Sequence, residues 1–85
     1  MELKDTVELM NSEDYKSRFV AEYLQTKIRY DKLHAMLIKY QADTLDFKPK
    51  CSCEVLMRQK KAMGEYLNAL EIRAEIEGIE LSVAE

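Results

Sequence analysis

Eighty-five residues, 47% hydrophobic and 34% charged, make a chain the size of one small folded domain and argue against both a second domain and a disordered segment. Two glycines and one proline predict an all-α protein, because the surplus of Leu, Ala, Glu, Lys and Met loses little rotamer freedom in helices and breakers are scarce. The formal charge of -3 speaks against a dedicated nucleic-acid binder, so no bulk nucleic-acid partner is expected.

Residues 3 to 10 carry Leu3, Val7 and Met10 at helical spacing and predict a short helix that must dock on something larger to persist. Asn11 or Ser12 then serves as N-cap, with Glu13 and Asp14 favourable at the positive end of a helix. No Gly or Pro follows until the connector, which predicts one helix over about residues 13 to 42, about 45 Å long at 1.5 Å per residue. Phe19, Tyr23, Thr26, Tyr30, Leu33, Leu37 and Tyr40 recur in alternating steps of four and three, an unbroken heptad seam. It is aromatic and polar where a dimer zipper carries Leu and Ile, which implies a non-identical partner surface or a bordering pocket.

Residues 43 to 52 form a connector in which Pro49 stops a helix from running through, while Leu45 and Phe47 are placed to tuck under the loop. Cys51 or Ser52 caps a second long helix over about residues 53 to 77. On one side of it lie Leu56, Met63, Tyr66, Leu67, Leu70 and Ala74, with the polar Gln59 and Arg73 also read as seam positions. Gly78 is a C-terminal cap with Ile79 as its apolar contact, and residues 78 to 85 form a tail. Two long helices joined this way make an antiparallel hairpin with a short N-terminal helix. One buried stripe per helix scarcely offsets the chain entropy lost, so a homo-oligomer, at least a dimer, is expected.

The net charge conceals a division. Between Lys16 and Lys61 eleven basic residues face five acidic ones, a net of +6, whereas the two ends together carry two basic and eleven acidic residues, a net of -9. In a hairpin this gathers Lys39, Lys48, Lys50, Arg58, Lys60 and Lys61 at the connector pole, opposite Glu71, Glu75, Glu77 and Glu80. The chain has no Gly-rich phosphate loop, no HExxH and a single histidine, His34, so no enzyme activity is expected. Cys51 and Cys53 with His34 are too few for a structural zinc site, so free thiols and no metal or cofactor are expected. Neither an apolar run of membrane length nor a basic and apolar leader is visible, so the expected location is the cytoplasm, with no membrane partner.

Aromatic residues interleaved with basic ones suit a small anionic nucleotide. Arg18, Lys27 and Lys60 are the candidate phosphate contacts; Tyr23, Tyr30 and Tyr66 supply stacking faces or hydroxyls. Gln59 and Arg73 are candidate pocket lining, because a polar group at a seam costs about 1–3 kcal/mol if buried unpaired, unless it fixes register or meets a ligand. The alternative is a helical protein-interaction module whose exposed stripe docks on another protein.

Arg18-Phe19-x-x-Glu22-Tyr23, Lys32-Leu33 and Leu56-x-x-Gln59-x-x-x-Met63-x-x-Tyr66-x-x-x-Leu70-x-x-Arg73 resemble a family of small phage and prophage helical proteins related to one from crAss-like phages. The resemblance covers roughly residues 13 to 77. Such proteins are similar in turn, more distantly, to anti-CBASS sponges, which sequester cyclic oligonucleotide signals without cleaving them. The resemblance implies a phage-encoded anti-defence protein in the host bacterial cytoplasm, holding a nucleotide immune messenger between subunits. It carries no sponge ligand residue onto this chain.

Overall fold

The computed structural model describes residues 1–81, and every regular element among them is helical. A 3₁₀ turn over Leu3–Thr6 runs into α1 (Val7–Met10), followed by α2 (Tyr15–Gln41) and α3 (Cys53–Glu77). The end of the predicted tail, beyond Leu81, lies outside the described residues. No helix among those residues is long and apolar enough to cross a membrane.

Local chemistry sets each helix end. The α2 N-cap is Asp14 rather than Asn11 or Ser12, so the helix starts two residues later than its predicted first residue, 13. The Asp14 carboxylate accepts from the Ser17 backbone N–H at 3.3 Å and the Ser17 hydroxyl at 3.0 Å. These bonds, led by the hydroxyl, hold its carboxyl below the usual carboxylate range. Ser12 serves one step earlier, its Oγ accepting from the Asp14 N–H at 3.0 Å.

At the far end of α2 the chain turns through Asp43 at φ 60°, and the Thr44 N–H closes on the Lys39 carbonyl at 2.9 Å. Ser52, rather than Cys51, caps α3, its Oγ accepting from the Val55 N–H at 3.2 Å. Gly78 terminates α3 in the left-handed region at φ 69°, and the Ile79 N–H reaches the Ala74 carbonyl at 2.8 Å. That turn folds Ile79 back into the core, the apolar contact that accompanies this type of cap.

The long helices run antiparallel. Tyr15 meets Glu77, Tyr23 meets Glu71 and Tyr30 meets Gly64, so rising numbers in α2 oppose falling numbers in α3. Phe19, Leu70, Ala74 and Ile79 form the buried cluster at the end away from the connector, with Val20, Tyr23 and Leu81 against it. Around it the Tyr15 hydroxyl donates to Glu77 at 3.0 Å and accepts from Arg73 at 2.8 Å, while the Arg73 guanidinium lies 4.9 Å from the Phe19 ring centre.

The α3 seam differs in phase from the sequence expectation. Leu56, Lys60, Met63, Leu67, Leu70 and Ala74, in steps of four and three, are buried or half-buried, whereas Gln59, Tyr66 and Arg73 stand on an exposed side. The buried phase gathers more aliphatic volume against α2. Polar Gln59 stays in water, Arg73 reaches over Phe19 from the exposed side, and the half-buried position falls to Lys60, whose long aliphatic stem can follow the seam.

The short N-terminal segment docks on α2. Thr6 is fully buried; its hydroxyl donates to the Leu3 carbonyl at 2.7 Å and accepts from Gln25 Nε2 at 3.0 Å, and the same amide donates to Met10 Sδ. In the connector Leu45 is half-buried, but Phe47 stays 55% exposed rather than tucking beneath the loop.

The two left-handed residues generate a reciprocal prediction. A non-glycine residue in that region costs roughly 1 kcal/mol or more. Asp43→Gly should therefore raise the urea unfolding free energy by up to about 1 kcal/mol, and Gly78→Ala should lower it by about the same amount.

Candidate functional site

Midway along the seam the two helices part company with the dense core. Tyr30 of α2 faces Gly64 of α3, and a Cβ built on that glycine would lie 3.4 Å from the Tyr30 ring. A larger side chain at position 64 would meet the ring, so the glycine lets the aromatic face line an open cleft. The cleft holds about 450 Å³ and is walled by Tyr30, Met57, Lys60 and Gly64 with Lys61, Glu65 and Asn68.

Cations bracket the ring. Lys27 Nζ stands 5.7 Å from the Tyr30 centre and Lys60 Nζ 5.9 Å, both within the range at which an ammonium is attracted to a π face. His34, one turn further along α2, has its ring within 2° of parallel to Tyr30 at a centroid distance of 6.4 Å. Lys27 also pairs with Asp31 at 2.9 Å, but both side chains are about half exposed. Such an i,i+4 pair contributes only a few tenths of a kcal/mol, so Lys27 remains available to a stronger anion. An aromatic face, a thioether, an amide and converging ammoniums suit a planar ring that carries negative charge.

Of the eight candidate residues, Lys27, Tyr30 and Lys60 converge here. The other five are placed elsewhere, three of them by contacts that account for them. Arg18 donates to the Ser12 carbonyl at 2.9 Å, tying the N-terminal segment to α2. Tyr23 donates to Glu71 at 2.7 Å across the hairpin. Arg73 is held by Phe19, Tyr15 and Glu77, the last at 3.4 Å. Gln59 is exposed and Tyr66 is 43% exposed, both on a side of α3 away from the seam.

Met57, Lys61, Gly64, Glu65 and Asn68 are not among the candidates that the sequence offers. The lone glycine inside an otherwise strong helix was the available signal, because such a glycine marks a close approach. Lys60 and Lys61 stand about two turns into α3, on the connector side of its middle. A second concavity, about 490 Å³, is walled by Glu71, Ala74, Glu75, Gly78, Ile79, Glu80 and Leu81. Its carboxylates disfavour an anion.

A family model described as Sequestin matches residues 13–76, which takes in α2, the connector and α3 up to its last residue. No curated protein and no solved structure matches the chain.

Burial, reinforced by the Glu71 carboxylate, pushes the Tyr23 hydroxyl up to about 12. Its folded value thus exceeds the unfolded one near 10, so this contribution to stability is complete below pH 10 and is lost as pH rises toward 12. Unfolding free energy should fall more steeply between pH 10 and 12 in the wild type than in Tyr23→Phe, and tyrosinate absorbance should lose its step near pH 12 in that variant.

Proposed function

The chain belongs to the Sequestin family, and on that premise we propose that it is a non-enzymatic sponge that binds a small anionic nucleotide signal and withholds it from its receptor. The observation that carries this reading is the Tyr30 ring, open to a cleft and bracketed by the Lys27 and Lys60 ammoniums. In this reading the base stacks on Tyr30, worth about 1–3 kcal/mol for an aromatic platform, and Lys27, Lys60 and Lys61 meet the phosphates. Met57 covers one side of the base, and Asn68 offers an amide to its edge. The signal is a nucleotide messenger of bacterial immunity, the protein is phage-encoded and works in the host cytoplasm, and the cleft is completed by a second subunit.

Sequestration asks for affinity and abundance, not turnover. Nothing in this reading requires a general base, a nucleophile or a metal, and the ligand is released intact when the protein unfolds. Lysine contacts to phosphate are electrostatic and partly exposed, so affinity falls as salt rises.

Calorimetry with cyclic dinucleotides, cyclic trinucleotides and ADP-ribose derivatives should release heat with at least one of them, and the bound compound should be recovered chemically unchanged after denaturation. Lys60→Gln should weaken that binding roughly tenfold, the equivalent of about 1.4 kcal/mol for one lost charge-assisted contact. Gly64→Leu should abolish it while circular dichroism retains the wild-type helix content, because the new side chain fills the space beside Tyr30. A silent panel, or recovery of a cleaved ligand, would contradict the sponge. Silence together with specific capture of one host or phage protein would favour the interaction module.

A further inference from the structure

The helix α3 carries two heptad stripes. One faces α2; the other consists of Val55, Ala62, Tyr66, Ala69, Arg73 and Ile76, recurring in steps of seven, four, three, four and three. Every member of this second stripe is exposed: Val55 by 49%, Tyr66 by 43% and Ile76 by 78%, with Ile72 beside them at 53%. Large aliphatic and aromatic groups in water alternate with alanines small enough to admit a second helix closely, a pattern of knobs and holes.

We propose that this outward stripe pairs antiparallel with the same stripe of a second copy of the chain, with Ala69 on the two-fold axis. Charge selects the orientation. Parallel pairing sets Glu65 against Glu65 and Arg73 against Arg73. Antiparallel pairing about Ala69 sets Glu65 opposite Arg73 and Lys61 opposite Glu77, each twice by symmetry, while Ala62 receives Ile76 and Tyr66 meets Ile72. Arg73 and Glu77 already pair with each other and with Tyr15, but their side chains stay 50% and 35% exposed, so the second copy's charges extend that network rather than replace it. Arg73 is thereby the polar seam residue that fixes register, because a slip by one turn breaks its pairing with Glu65 in both symmetry-related copies.

The pairing also reaches the cleft, a consequence that rests on the nucleotide reading whereas the interface itself does not. Lys61 and Glu65 line the Tyr30 cleft. The second copy's Arg73 comes beside Glu65, the one carboxylate among the lining residues, and offsets a charge that opposes an anion.

Sedimentation equilibrium at tens of micromolar tests the interface with no nucleotide present, so its outcome is independent of the calorimetric panel. Wild-type protein should sediment at no less than twice the chain mass, and Ala69→Lys should halve the mass with unchanged helical circular dichroism. In a Cys51→Ser/Cys53→Ser background, mild oxidation should cross-link Ala69→Cys into a covalent dimer at least tenfold faster than Ala62→Cys, which the register places opposite Ile76. A wild-type chain at single mass, leaving the stripe open to some other protein, overturns the proposal. So does an Ala69→Lys variant that keeps the wild-type mass, or equal cross-linking at positions 62 and 69.

Discussion

One narrow seam holds α2 against α3, and the sizes of the side chains along it decide where the molecule is solid and where it is open. At the end away from the connector, Phe19 fills the space against Leu70, Ala74 and Ile79, and water is excluded. Halfway along, a tyrosine faces a glycine, and no aliphatic side chain closes the gap. The same antiparallel register that places Phe19 in the core therefore places Tyr30 at the edge of a cleft. A glycine inside a helix costs about 1 kcal/mol relative to alanine, and here that cost coincides with access to an aromatic face.

Electrostatics follow the same register. Cross-hairpin bonds from Tyr15 and Tyr23 engage Glu77 and Glu71, so carboxylates near the acidic end have hydroxyl partners that stitch the helices together. Further along, the chain turns basic: Lys60 and Lys61 line an opening with a single carboxylate in its lining, and Lys27 stands 5.7 Å from the centre of its Tyr30 ring. An anion approaching the molecule meets a repulsive end and an attractive middle. The dipole visible along the sequence thus becomes a directional field once the chain is folded back on itself.

Much of this was legible before any coordinates. Pro49 and the Cys51–Ser52 pair mark the break and restart, Gly78 marks the last stop, and the stretch without Gly or Pro from about residue 13 marks the first long helix, because each acts through its own backbone. The phase of α3 was not legible. Leu56, Leu67 and Ala74 belong to one stripe and Val55, Tyr66 and Ile76 to another, and both obey the same seven-residue period, so spacing alone assigned Gln59, Tyr66 and Arg73 to the wrong side. Only packing against Phe19 and its neighbours decides between them. The α2 start was ambiguous for a similar reason: Asn11, Ser12 and Asp14 are all competent caps, and the choice depends on where the docked N-terminal segment leaves the chain. In the site, Lys27, Tyr30 and Lys60 were visible as charge beside aromatic, whereas Gly64 acquires meaning only when the opposite helix is in place.

The central claim is that Tyr30 and Gly64 frame the ligand cleft, and it is tested most directly by residue-resolved NMR during titration with the nucleotide panel. The account predicts that the backbone amides of Lys61, Gly64 and Asn68 and the ring resonances of Tyr30 shift together and saturate at one ligand per cleft. Shifts confined to the connector around Tyr40 to Pro49, or to the acidic end around Glu71 to Leu81, with the Tyr30 ring unmoved, would contradict it.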